Sequence, residues 1–339
     1  MSTRTHTRSP LFGWLASPPP SAAVEVTPGR VTAVSVVQQA HTLVLSGSAT
    51  VSLGSGVVDA VLNAPNVHDA SVLTEAIRSA LDKLSPRPKR VGLVLPDTVA
   101  KVSLVKFEKV PARVQDLDQL IHWQVRKAAP FRIEDAQVAW IPAHGFEDGA
   151  REFLVTTARR DVIESYENAC TAAGAYPGIV DIASFNVINL VTAEGEATAG
   201  AGSRGDWLLV HATADYATLA VVRHGTLIFF RNRTTADDVD LADLVHQTAM
   251  YHEDRLGGGG FSRIVLAGAT ARGADQVERL RRQVEERTGT RPEAIGFGTA
   301  VTLRDRIVAA PELVDITAPA IGLLLREHLA GRGASERVA

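Results

Sequence analysis

Two short turns carry the pattern most open to chemistry. AVEVTPGRVTAVSV (residues 23–36) and LVHATADYATLAVV (209–222) share Val, Thr, Thr and Val at matching offsets. Each reads as a strand, a tight turn and a return strand. Turns of this kind can hold phosphates on backbone N–H groups, and a duplicated pair can clamp a nucleotide between them. That chemistry needs glycine where the backbone must come close or take a positive φ. No GxxxxGK[ST] loop occurs, and GGGG (257–260) precedes a strand rather than a helix, so it reads as a flexible turn.

The remaining reactive residue types do not converge. Cys170 falls on a helix among apolar neighbours with no nearby His, which predicts a buried, inert thiol. His246 and His252 share a helix but lie off the same-face spacing of joint metal ligands, so both read as solvated or interfacial. Gly54-Ser55-Gly56 lacks the strand–turn–helix setting of a hydrolase elbow, and GFGTA (296–300) reads as a strand-to-helix turn. RLRRQVEERTGTR (279–291) alternates basic and acidic residues like a solvated helix face. No catalytic constellation and no metal site emerges.

The elements that must position the turns alternate between strands and helices, the pattern of an α/β protein. In the first half, β-runs over 22–38 and onward are followed by a helix at 71–84 and strands RVGLVLP and AKVSLVKFEKV. A helix at 116–129 stops at Pro130; two more strands precede a helix ended by Gly174. EGEATAGAGSRG (194–205) is small and polar and reads as a linker. The second half predicts strands at 207–212, 217–223 and 226–231, a helix at 239–256, a strand at 262–267, and helices at 274–288 and 318–330. Residues 1–20 read as an arm, a mobile tail or a docking peptide built on Leu11, Phe12 and Trp14.

Composition narrows the function classes. Of 339 residues, 45% are hydrophobic and 22% charged, and the formal net charge is −3. That balance gives no electrostatic footprint for wrapping nucleic acid. One cysteine excludes an intrachain disulfide and any cysteine cage. The uncharged stretch between Arg30 and Asp59 carries Gln38, Gln39 and several serines and alternates like strands, so it is not a membrane span.

A longer resemblance joins these pieces. VGLVLPDTVAKVSLVKFEKVPARVQDLDQLIHWQVRKAAPF (91–131) resembles the PilM family of type IV pilus assembly proteins and the cytoplasmic part of the secretion protein GspL. The likeness continues through 151–190 and 264–289 to PAIGLLLRE, and covers roughly residues 21–328. It implies an actin-like, ribonuclease H-like duplicated α/β fold with an inserted small α/β subdomain and a reduced second half. The expected organisation is an arm (1–20), a first subdomain (21–89 and 177–193), the insert (90–176), the linker (194–205), a second half (206–330) and a tail (331–339).

The same resemblance sets expectations for the site. The family's first phosphate loop resembles G-x-[DE]-x-G-x-S, where this chain has Ala23, Glu25, Thr27 and Gly29. A β-branched Thr27 forced into a left-handed conformation would cost about 1–2 kcal/mol. The second loop's D-[IL]-G is replaced by His211, Ala212 and Thr213, and the Gly-Gly pair by Gly268 and Ala269. Only RNRTTADDVD stands where the family carries an adenosine-side subdomain. These losses imply a vestigial site with no ATP, Mg²⁺ or other cofactor and no enzymatic activity.

The family's partner is the cytoplasmic N-terminus of a single-span PilN-like protein. The resemblance puts its groove at Arg126, Pro130, Phe131 and Ile133, with Trp123 and Phe131 also readable as core. A pilus motor ATPase is a further partner that the resemblance allows. The expected location is cytoplasmic, held at the inner membrane through partners without direct insertion. The rival readings are a working actin-like ATPase or switch, a GspL-like secretion component, and a degenerate sugar or acetate kinase.

Overall fold

The computed structural model of the chain describes residues 19–39, 42–146, 149–198, 205–235, 240–304 and 308–336. Leu11, Phe12 and Trp14 of the expected arm lie outside the described residues.

Three sheets organise the chain. The first runs in the order β14-β3-β2-β1-β4-β8, from β1 (Ala22–Thr27), β2 (Arg30–Gln39), β3 (Thr42–Ser52), β4 (Arg90–Leu95), β8 (Tyr176–Ile182) and β14 (Val301–Leu303). The second has the order β11-β10-β9-β12-β13, from β9 (Trp207–Ala212), β10 (Tyr216–Arg223), β11 (Thr226–Thr234), β12 (Arg263–Ala267) and β13 (Glu293–Ala294). Both sheets therefore contain an antiparallel three-stranded meander extended beyond its first strand by two parallel strands, and the first sheet adds β14 parallel to β3 on its other edge.

Register makes the duplication explicit. Glu25 pairs with Thr32 in the first hairpin and His211 with Thr218 in the second, the same offset in each. The strands are apolar on both faces because helices cover them. All six residues of β1 are buried, as are five of the six in β9.

Helices pair off in the same way. α1 (Ala70–Asp82) begins where Asp69 accepts the N–H groups of Ser71 and Val72. It buries Leu73, Ala76, Ile77, Ala80 and Leu81, a stripe at helical spacing. α3 (Arg160–Ala172) packs against α1, and α5 (Leu241–Leu256) against α6 (Ala274–Thr288). α4 (Ala183–Thr198) and α7 (Pro311–Glu336) cross in the middle of the main core, with Gly322 against the backbone carbonyl of Asn186.

The third sheet, β5-β7-β6, comes from β5 (Ala100–Phe107), β6 (Ala136–Gly145) and β7 (Arg151–Arg159). α2 (Val114–Arg126) covers one face, seating Leu117, Ile121 and Val125 on Val105, Phe153 and Val155. The separate unit is thus narrower than the 90–176 span expected. β4 is a central strand of the first sheet, and α3 packs on α1, because their apolar residues complete that core.

Three other expectations change. The linker expected from 194 begins instead with the last turn of α4, tied to β12 by a 3.0 Å pair between Arg263 and Glu194. The last helix starts at Pro311, seven residues before the sequence places it, and carries Pro319 inside. GFGTA leads into β14, a strand, not a helix. No helix among the described residues is long and apolar enough to cross a membrane.

Candidate functional site

The turns that close the two hairpins lie within charge–charge range of each other, through Arg30 and Asp215. The Thr27 hydroxyl donates to the Arg30 carbonyl at 3.1 Å, and its oxygen accepts the Arg30 N–H at 3.2 Å. In the second turn the Thr213 hydroxyl donates to the Tyr216 carbonyl at 3.0 Å, and its oxygen accepts the N–H groups of Asp215 and Tyr216. Each turn thus closes on its own threonine, a local side-chain bond in place of an outside acceptor. A phosphate approaching the Arg30, Asp215 or Tyr216 N–H would have to displace that hydroxyl.

This arrangement corrects the strain expected at Thr27. Among the described residues the only non-glycine with a positive φ is His224, so Thr27 keeps ordinary strand geometry. Gly29 also has no positive φ and no atom within 4 Å of its would-be Cβ. The turn uses neither freedom that glycine offers.

Charge at the turns is tied up internally. Buried Glu25 receives the Arg30 guanidinium at 3.4 Å, yet burial outweighs that pairing and pushes its carboxyl up. Arg30 also faces the second turn, where it offsets part of the upward push of burial on Asp215. His211 occupies the position equivalent to Glu25; burial drives its pKa down to about 4, so the ring is neutral near pH 7.

The third loop follows β12. Gly268 has φ +74, and a Cβ there would come within 2.9 Å of the His211 ring, so glycine is required. Its N–H donates to Asp315 Oδ1 at 2.7 Å, and the Thr270 N–H donates to Asp315 Oδ2 at 2.8 Å. A carboxylate from α7 therefore occupies the anion-favouring position of this loop. Arg272 closes over the second turn by donating to the Thr213 carbonyl at 3.0 Å.

Between the hairpins lies a polar cluster that the sequence analysis missed. Asp97 is fully buried in a short 3-10 turn between β4 and β5. Its Oδ1 accepts the Ser184 N–H at 2.9 Å, and its Oδ2 accepts the hydroxyls of Ser184 and Thr218, the latter at 2.6 Å. Ser184 Oγ lies 2.8 Å from His211 Nδ1, and Asn232 donates to Thr218 Oγ1 at 2.8 Å. Because Ser184 gives its one proton to Asp97, it accepts from His211 Nδ1–H, which assigns the tautomer. The signal available was an acid placed directly after an apolar strand and a proline, LVLPD.

At the end of α2 and in the turn after it, the four groove residues expected from the resemblance come together. Arg126, Pro130, Phe131 and Ile133 line one open cavity of about 470 Å³ with Ala129, Arg132 and Glu134. Arg126 pairs with Glu134 at 3.1 Å. Trp123 is not core: it is 56% exposed, with the Lys127 ammonium 3.7 Å above its ring. The core positions of α2 go instead to Leu117, Ile121 and Val125.

The other reactive types are structural. Cys170 is buried, and burial pushes its thiol up to about 12. His252, expected to be solvated or interfacial, is buried: it lies 2.6 Å from Asp206 and stacks on Phe261 at 4.6 Å. Gly258, within the glycine run, leaves no room for a Cβ against that ring. Among the described residues no cluster of three or more His, Cys, Asp or Glu could hold a metal ion.

Two sheets that repeat one meander, matched in register and sharing one core, define an actin-like protein, here with a third sheet inserted between β4 and α3. The chain belongs to the family of type IV pilus assembly protein PilM, whose sequence profile matches residues 24–255. A solved PilM-PilN type IV pilus biogenesis complex is similar in fold, with TM-score 0.75 and 16% identity over 91% of this chain and 98% of that chain. The cytoplasmic domain of EpsL, an inner-membrane component of the Vibrio cholerae type II secretion system, has TM-score 0.46 and 11% identity over 91% and 94%. A Bacteroides thetaiotaomicron protein with an actin-like ATPase fold and unknown function has TM-score 0.45 and 10% identity over 88% and 93%. No curated protein matches significantly.

Proposed function

We propose that the protein is a scaffold subunit of a type IV pilus assembly platform, and that the end of α2 and the turn after it, in the inserted unit, bind the cytoplasmic N-terminal peptide of a PilN-like single-span protein. The observation that carries this reading is the convergence of Arg126, Pro130, Phe131 and Ile133 on one open cavity. A lining that mixes Ala129, Pro130, Phe131 and Ile133 with Arg126, Arg132 and Glu134 suits a short peptide carrying apolar side chains. Membership of the PilM family and likeness to a structure solved with PilN support the choice of partner. Attachment through that partner would hold the protein peripherally at the inner membrane.

The reading includes no nucleotide turnover. The donors around Glu25, Thr27, Gly29, His211, Thr213 and Gly268 suit a Mg²⁺-nucleotide poorly. Both threonines cap their own turns, Asp315 fills the third loop, and a neutral histidine stands where a metal-facing carboxylate would be needed. Titration of a synthetic PilN-like N-terminal peptide against the full chain tests the partner. Saturable one-to-one binding supports the scaffold; no binding at millimolar peptide overturns it.

A further inference from the structure

One end of the first sheet gathers cations without neutralising them. The segment KLSPRPKR (83–90) carries Lys83, Arg87, Lys89 and Arg90, all exposed, and no acid. It runs from the C-cap of α1 to the first residue of β4. Arg87 ties the segment down: its guanidinium donates to the Ala173 and Gly174 carbonyls at the end of α3 and pairs with Asp82 at 2.5 Å. The Lys89 carbonyl accepts the Tyr176 N–H at 2.8 Å, and Arg90 pairs with Tyr176 in the β4–β8 ladder. The ends of two helices and two strands therefore present these side chains together.

Arg87 has a structural reason to be there, because cations suit the C-terminal carbonyls of a helix. The two lysines have none: neither Lys83 nor Lys89 has an acidic partner among the described residues. Elsewhere on the surface Arg126, Arg159, Arg263, Arg287 and Arg291 each hold an acid. This end is thus a local excess of positive charge on a chain whose net charge is −3. Tyr176 stands within it, 63% exposed. The chain also enters here: β1 runs parallel to β4 with Ala23 opposite Gly92, and residues 1–24 include Arg4 and Arg8 and no acid.

We infer that this end of the first sheet adsorbs to an anionic bilayer surface, with Lys83, Lys89 and Arg90 against lipid phosphates and Tyr176 among the headgroups. The chemistry separates this occupant from an acidic peptide. Peptide recognition draws on several anchors seated in pockets, and this patch offers one exposed ring. Lysines are point charges that demand no particular partner geometry, which suits a field of mobile phosphates. Each cation held near such a surface strengthens adsorption about fivefold, and tyrosine rings settle at headgroup level. Charges more than roughly 10 Å away are screened at 0.1 M salt, so the sign of this end decides, not the net charge of the chain. Adsorption here needs neither the α2 cavity nor its peptide.

The test is co-sedimentation of the full chain, with no peptide added, on vesicles of phosphatidylcholine alone or mixed with phosphatidylglycerol. The expected result is adsorption to the mixed vesicles at 0.1 M salt, lost at 1 M salt and absent on phosphatidylcholine. Lys83→Ala combined with Lys89→Ala should weaken it about twenty- to thirtyfold at an unchanged melting temperature. Arg279→Ala combined with Arg282→Ala, at exposed positions of α6, removes the same charge elsewhere and should adsorb like wild type. No adsorption to mixed vesicles, equal adsorption to both kinds, or a lysine variant that behaves as wild type would each overturn the assignment. So would an α6 control that loses as much as the lysine variant. Saturable binding of a glutamate-rich peptide without vesicle adsorption would give the face to an acidic protein partner instead.

Discussion

Gly322 of α7 lies directly against the backbone carbonyl of Asn186 in α4, with no space between them for a methyl group. The contact sets how closely the two central helices approach, and through them how the two sheets share one core. A backbone carbonyl cannot rotate aside as a side chain does. Gly322→Ala must therefore spread the crossing and open the packing of Ala318, Ile321 and Leu325. We expect a loss of about 3 kcal/mol in urea unfolding. Unchanged stability would mean that the crossing is far more yielding than its geometry implies.

The groove gives the second expectation. Phe131→Ala and Arg126→Ala should each weaken binding of the PilN-like peptide by roughly thirtyfold, about 2 kcal/mol. Neither change should alter the melting temperature much, because Arg126 is exposed and its pairing with Glu134 is a surface bridge. Calorimetric titration with both folded variants decides. Wild-type affinity in both would move the peptide site off this cavity.

Nucleotide gives the third. A ligand at 100 times its Kd stabilises a fold by about 2.7 kcal/mol, a shift that melting curves detect easily. Millimolar Mg²⁺-ATP should leave the melting temperature unchanged. A clear ATP-dependent rise would show that Thr27 and Thr213 release their turns on demand, and would restore the switch reading.

The fourth concerns Asp206. Burial alone would raise its pKa, but hydrogen bonds from Arg223 and His252 and their charges outweigh it and hold the carboxyl below 3.8. A carboxylate lowered on folding adds stability above its unfolded pKa and loses it as the pH falls through the folded value. Asp206→Asn should therefore cost about 2 kcal/mol at pH 7, leaving buried His252 without its partner. The difference from wild type should shrink below about pH 4. Denaturant titrations at pH 7 and pH 3.5 measure both; an equal gap at the two values would contradict the ionic account.

Local signals made much of this molecule legible. The repeated Val, Thr, Thr and Val gave the paired hairpins, and the WQVRKAAPF resemblance named residues that share one cavity. What escaped was set by partners distant in sequence. Thr32 and Thr218 are equivalent, yet Thr218 bonds Asp97 while the buried Thr32 hydroxyl has no partner. His252 gave no sign of Asp206, and Asp315 none of the loop at Gly268. Pro319 hid the first turns of α7, because a proline in a helical pattern ordinarily signals an end.

Turns closed by their own threonines are complete as soon as the chain folds. A turn held by a diffusible acceptor keeps its closing bond only while that acceptor is present. Here Thr27 and Thr213 travel with the polypeptide at a fixed ratio of one per turn. The two turns thus hold their closing bond whatever acceptor the surrounding solution offers, because the hydroxyl that closes each one is part of the chain.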